Sequence, residues 1–201
     1  MTRCFVGFEI SDSSRSYLRS LLSPLHARMK DELGWPVRLV PPDNWHATLL
    51  FFSDLDEAER AKVWEVVESS VADGIWRGLQ FGWREWSLWP SPRRPGLLCL
   101  EAPHHEPARN WPLTGLLDME PFSKGEGHHL RDYRPHVTVM RFKRGRGVRP
   151  PDPRQWERLA ADLPPIDAHA VKLVAVSLFL STVGPQNPIY PRERTLTLTG
   201  D

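Results

Sequence analysis

His46-Ala47-Thr48-Leu49 and His136-Val137-Thr138-Val139 are two copies of one pattern: histidine, any residue, threonine, aliphatic residue. Each lies in an apolar stretch that reads as a β-strand, and each follows a turn-forming or loop segment. They stand 90 residues apart, close to half of the 201-residue chain. Side chains alternate across a strand, so His and Thr at i and i+2 share one face. Two such strands facing each other put two imidazoles and two hydroxyls along one cleft. A lone His-x-Thr is common by chance. Two copies in the same strand setting at half-chain spacing are not, and they point to an internal duplication.

The rest of the pattern mixes strands and helices. Residues 3–10 alternate as a first strand, and a helix is expected over residues 13–33, capped by Ser11 or Asp12. Leu18, Leu21, Leu22, Leu25 and Met29 form its apolar stripe, and Pro24 inside the stripe predicts a kink or break. Val37–Val40 is a short strand, Pro41-Pro42-Asp43-Asn44 a turn, and residues 45–52 the strand of the first motif. Asp54 or Asp56 caps a second helix to about residue 72, with Val63, Trp64, Val67 and Val71 inward and Gly74 at its end.

Strands follow over 79–89 and 97–101 around a Pro/Arg turn. Residues 107–119 are weakly helical, Ser123 to Asp132 is a polar loop, and 135–142 is the strand of the second motif. After a basic loop, Arg144 to Pro151, come a helix from Pro153 through Leu163, a strand over 170–181 and a last strand, Arg194–Leu198. Strands joined by short helix-free connections favour antiparallel pairing. The expected fold is α+β and bilobal. It has two pseudo-symmetric lobes, each with an antiparallel sheet and flanking helices, about a central cleft, and residues 1–201 form one domain.

Composition narrows the functional classes. A net charge of +1 gives no global field for duplex DNA, so any nucleic-acid contact is local. No apolar run reaches the length of a membrane span, and the opening MTRCFVGFEI has no leader pattern, so a cytoplasmic location is expected. Cys4 and Cys99 sit in apolar strand segments and read as buried reduced thiols. The 20 prolines stiffen many of the loops.

Imidazole titrates near neutrality, so one ring of a pair can take a proton while the other gives one. On opposite sides of a phosphorus atom the two suit in-line displacement, and the threonine hydroxyls can hold the non-bridging oxygens. No metal or other cofactor is needed. His46 and His136 are the candidate catalytic residues, with Thr48 and Thr138 as phosphate donors. Arg141 lies three residues beyond Thr138, on the other face if the strand is regular, so it reaches a phosphate only near a bend. Its counterpart in the first copy is Phe51.

The chain resembles the two-histidine phosphoesterase superfamily, and within it the LigT-like RNA 2′,3′-cyclic phosphodiesterases, the 2′-5′ RNA ligase family. The resemblance runs through most of the chain. Arg3-Cys4-Phe5-Val6-Gly7-Phe8 is similar to the family's first strand. Val40 to Leu49 is similar to its first motif, and Tyr133 to Arg141, including the Arg, to its second. Ser181, Gly184-Pro185 and Tyr190 are similar to its C-terminal signature. Trp45 departs from the pattern, standing where a smaller aliphatic residue is expected.

The resemblance implies a bilobal fold and metal-independent hydrolysis of 2′,3′-cyclic phosphate ends to 2′-phosphates. It makes His136 the base that activates water and His46 the acid for the leaving O3′. Thr48, Thr138 and Arg141 hold the phosphate. The expected partners are RNA ends or small cyclic nucleotides, and a monomer is the default. Alternatives at the same site are 2′,5′-ligation, 2′,5′-phosphodiester cleavage, or a nucleotide-binding module without turnover.

Around this centre Phe8, Trp45 and Tyr190 are candidates for base or RNA contacts, although core packing suits Phe8 and Tyr190 equally. Trp83, Trp86 and Trp89 with Arg93 and Arg94 are candidates for stacking on a single strand, with Trp83 favoured as core. Lys143, Arg144, Arg146 and Arg149 can steer RNA or form a solvated charge run. His104-His105 and His128-His129 lack the spacing of a zinc site.

Overall fold

The computed structural model describes residues 2–74, 76–102, 134–143, 152–161, 163, 165–182 and 188–198. Eight strands are β1 (Thr2–Ile10), β2 (Val37–Leu39), β3 (His46–Leu55), β4 (Glu85–Trp89), β5 (Leu97–Glu101), β6 (His136–Phe142), β7 (Leu173–Leu180) and β8 (Arg192–Thr197). Three helices among the described residues are α1 (Asp12–Ala27), α2 (Glu57–Ala72) and α3 (Pro153–Ala161). The segments expected as a weak helix at 107–119, a loop at 123–132 and a basic loop at 144–151 lie outside the described residues. So do the two His pairs, at 104–105 and 128–129.

All eight strands belong to one antiparallel sheet in the order β4-β5-β6-β3-β1-β7-β8, with β2 also paired to β6. The fold is therefore α+β and antiparallel, as expected. The strands of the two halves run together, because the motif strands β3 and β6 pair directly, Ala47 opposite Val137.

Local chemistry explains the helices. The Ser11 hydroxyl accepts the Ser14 N–H at the start of α1. Asp56 and Glu59 close a reciprocal capping box at the start of α2. Pro24 does not end α1: the helix runs to Ala27 and widens into a π turn, Arg28–Glu32, before Gly34 at φ 64° turns the chain. Leu18, Leu22, Leu25 and Met29 are buried in the core. Several expected limits shift, with β3 running on to Leu55 and β7 spanning Leu173–Leu180. Residues 79–84 are irregular although Phe81 and Trp83 are buried, β8 starts two residues earlier, and α3 stops at Ala161. Both cysteines are buried and unpaired.

One face of the sheet carries the core and the other the motif histidines. On β1 the core residues are Cys4, Val6, Phe8 and Ile10. On β3 they are Ala47, Leu49, Leu50, Phe52 and Leu55, and on β6 Val137, Val139, Met140 and Phe142. The consecutive inward pairs, Leu49-Leu50 and Val139-Met140, break simple alternation. Each marks a bulge. Across β1, Thr48 pairs with Gly7 and Leu50 with Val6, which leaves Leu49 extra. Across β5, Thr138 pairs with Cys99 and Met140 with Leu98, which leaves Val139 extra.

Candidate active site

The two bulges sit at the same place in the two motifs, and they decide which side chains reach the cleft. An extra inward residue flips the parity of everything beyond it. Phe51 and Arg141 are thereby turned to the same face as His46–Thr48 and His136–Thr138. This is the bend that Arg141 requires. His46, Thr48, Phe51, Thr138, Arg141 and Tyr190 line a cleft of about 300 Å³. His136 stands beyond that lining, two residues along β6 from Thr138, and its charge still acts on His46.

Both imidazoles are held by one device. His46 Nδ1 lies 2.8 Å from the carbonyl oxygen of Asn44, and His136 Nδ1 lies 2.9 Å from that of Arg134. A carbonyl only accepts, so Nδ1 carries the proton in each ring and Nε2 holds the reactive lone pair. His46 Nε2 is 3.1 Å from Thr48 Oγ1, so in the neutral ring the hydroxyl donates to it. Thr138 Oγ1 instead contacts Cys99 Sγ at 3.8 Å.

Each ring also rests on an aromatic floor. Phe5 stacks on His46 at 4.6 Å and Trp89 on His136 at 4.4 Å. The Tyr190 ring stands edge-on to both His46 and Phe5, and its hydroxyl lies 3.5 Å from Arg141 Nη2. Room for the His46 ring comes from Gly7: a Cβ there would lie 3.1 Å from the Ala47 carbonyl oxygen and 3.4 Å from His46 Cδ2.

Burial sets the proton affinity of the pair. It pushes His46 down to about 4, with His136 and Arg141 acting in the same direction, against the Asn44 carbonyl and Glu9. Burial also lowers His136, opposed by the Arg134 carbonyl and by Glu101. Both rings are thus biased towards the neutral form before an anion arrives.

Phe8 and Trp45 do not reach the cleft. Both are buried on the core face, where Phe8 packs edge-on against Trp76 and Phe81. The expectation of base contacts from these two is corrected by strand parity, because Phe8 and Trp45 lie on the face opposite His46. Phe5, not Phe8, lines the cleft. The run Cys4, Val6, Phe8, Ile10 already marks the inward set, and it leaves Arg3, Phe5 and Gly7 for the cleft side. Tyr190 does line the cleft. Trp83 is core, with its Nε1–H donated to the Val171 carbonyl.

A sheet in which two His-x-Thr strands pair at one residue couple, with both imidazoles fixed through Nδ1, has counterparts among known proteins. A protein of Methanothermobacter thermautotrophicus named RNA 2′,3′-cyclic phosphodiesterase is 27% identical over 191 residues, 94% of either chain. One of the same name from Archaeoglobus fulgidus is 24% identical over 144 residues, 71% of this chain and 73% of that one. Among solved structures, TT0787 of Thermus thermophilus matches with a TM-score of 0.58 at 20% identity over 99% of both chains. E. coli LigT complexed with ATP matches with a TM-score of 0.56 at 18% identity over 98% of both. No family model matches. The chain thus has the fold of the LigT-type structures and is similar over nearly its whole length to a protein named RNA 2′,3′-cyclic phosphodiesterase, which supports a LigT-like two-histidine phosphoesterase family for it.

Proposed function

We propose that this protein hydrolyses the 2′,3′-cyclic phosphate at an RNA end to a 2′-phosphate, with His46 and His136 as the proton-transfer pair. The observation that carries this is the matched Nδ1–carbonyl bond on both rings, which leaves both Nε2 atoms for chemistry. The names of the two archaeal relatives supply the substrate class.

In this reading His136 Nε2 takes a proton from water as the water oxygen bonds to phosphorus. His46, protonated at Nε2 in the substrate complex, gives that proton to O3′ as the P–O3′ bond breaks. The phosphate stays on O2′. Thr48 and Thr138 hydroxyls donate to the non-bridging oxygens, and the Arg141 guanidinium balances their charge. The Thr48 contact couples two of these roles. Neutral His46 takes the Thr48 proton as a hydrogen bond, whereas protonated His46 presents its own N–H and leaves the Thr48 hydroxyl free for the phosphate.

Acid, base and charge stabilisation all come from side chains, so the reading calls for no metal. The test uses EDTA and a short RNA ending in a 2′,3′-cyclic phosphate, with the wild type beside His46→Ala and His136→Ala. Each substitution is expected to cost about 10²–10⁴-fold in turnover. A 3′-phosphate product, activity lost with the chelator, or full activity in either variant overturns the proposal.

A further inference from the structure

The two motif strands differ at one position in a way that leaves a cation unexplained. Beyond its bulge β6 carries Arg141, while β3 carries Phe51 at the matching place. The missing guanidinium comes from another strand. Arg3, exposed on β1, lies over the Phe51 ring with its Cζ 4.5 Å from the ring centre. Both residues line the cleft that holds His46 and Thr48. Among the described residues no carboxylate pairs with Arg3.

The register places Arg3 relative to the reacting centre. Strands β3 and β6 run antiparallel through Ala47–Val137, so Phe51 and Arg141 lie on opposite sides of that crossing. Phe51 pairs with Phe5, and Thr48 pairs with Gly7. The Arg3 guanidinium, folded over Phe51, is therefore about two strand residues from the level of Thr48, roughly 7 Å. That is the scale of one nucleotide between neighbouring phosphates. Ser181 lines the same end of the cleft, held there by its N–H donated to the Arg3 carbonyl at 2.8 Å.

We propose that Arg3 forms a second anion subsite, which holds the phosphate on the 5′ oxygen of the nucleotide whose cyclic phosphate reacts. This rests on the cyclic-phosphate reading of the cleft and specifies its substrate: an RNA end or a 5′-phosphorylated nucleotide rather than a bare nucleoside cyclic phosphate. Arg3 is a specificity residue here, since its guanidinium meets the neighbouring phosphate and not the reacting one.

The test separates binding from turnover. Adenosine 2′-monophosphate and adenosine 2′,5′-bisphosphate are titrated by calorimetry into the wild type, Arg3→Ala and Arg3→Lys. The wild type is expected to prefer the bisphosphate on the order of tenfold or more. Arg3→Ala should lose that preference while its monophosphate affinity changes less than about twofold, and Arg3→Lys should keep part of it. High salt should shrink the preference. No preference in the wild type, no binding of either ligand, a preference that survives in Arg3→Ala, or equal weakening for both ligands overturns the inference. If the binding pattern holds but no cyclic phosphate is hydrolysed, the subsite stands and the hydrolase reading fails.

Discussion

Glu9 faces His46 across the β1–β3 ladder as Glu101 faces His136 across β5–β6. Both carboxylates are nearly buried, at 8% and 2% exposure, and each is hydrogen-bonded to neighbouring side chains. Glu9 accepts from Ser177 Oγ and holds Arg192 through two hydrogen bonds of 2.8 and 2.7 Å. Glu101 accepts from Trp89 Nε1 and from Arg134 Nη2, both at 2.8 Å. Each half of the sheet thus has one carboxylate beside its imidazole, held in place by hydrogen bonds to other side chains.

The Glu101 network bears directly on His136. Its carboxylate raises the proton affinity of that ring and anchors the indole under it. Replacing Glu101 by Gln removes the charge and leaves the Arg134 cation uncompensated, so the His136 titration should move to lower pH. NMR of the imidazole C–H resonances reads this directly. An unmoved titration would show that the pairing is structural only.

Stability should depend on pH through His46. Its value falls from an ordinary 6.5 to about 4 in the folded chain, so the unfolded state binds more protons between those limits. The contribution is fully present above about pH 6.5 and is lost as pH falls towards 4. At about 1.4 kcal/mol per unit it amounts to roughly 3 kcal/mol. Urea midpoints of the wild type and His46→Gln, compared from pH 7 to 4.5, should converge as the pH drops. Parallel curves would refute it.

Asn44 serves the cleft twice. Its carbonyl orients His46, and its side-chain Nδ2 donates to the Pro188 carbonyl at 3.0 Å, tethering the segment that presents Tyr190. Asn44→Ala deletes only the second contact. KM should rise about 2- to 10-fold, the worth of one hydrogen bond, with kcat little changed. A collapse in kcat comparable to His46→Ala would mean that the tether also fixes the imidazole.

Gly7 is needed for closeness. Its φ lies outside the left-handed region, so a side chain is excluded by its neighbours alone. Gly7→Ala would press a methyl on the Ala47 carbonyl, which belongs to the ladder and cannot retreat, and on the His46 ring. A loss of about 1–3 kcal/mol in stability is expected, together with a fall in kcat. Unchanged thermal unfolding and turnover would contradict the packing described for this strand.

The motif strands, their pairing sense and most helix limits were readable from the chain, because they depend on local pattern. Ser11, Asp56 and Gly74 all stand at or beside the ends they mark. The bulges were not readable. Leu49-Leu50 and Val139-Met140 look like ordinary apolar pairs, and only the partner strands reveal which residue is extra. That is why Arg141 read as facing away. Phe5 was within reach of a stricter count of parity along β1. Trp89 ends an expected strand, but its place under His136 depends on β5 pairing with β6, which residues 85–101 do not announce by themselves.

The crossing of β3 and β6 rests on one ladder pair, Ala47 with Val137, while the strands on either side share five to seven. Backbone hydrogen bonding ties the two halves through this pair and through β2, which pairs with β6 over Val37–Leu39, while each imidazole is fixed mainly to its own half. The gap between the two rings is maintained from beneath, by Leu49, Leu50, Val139 and Met140 wedged into the common interior. The spacing of the two rings is in that sense a property of the apolar layer under the sheet. A cavity opened there, remote from any polar group, would shift both imidazoles at once and leave each of them intact.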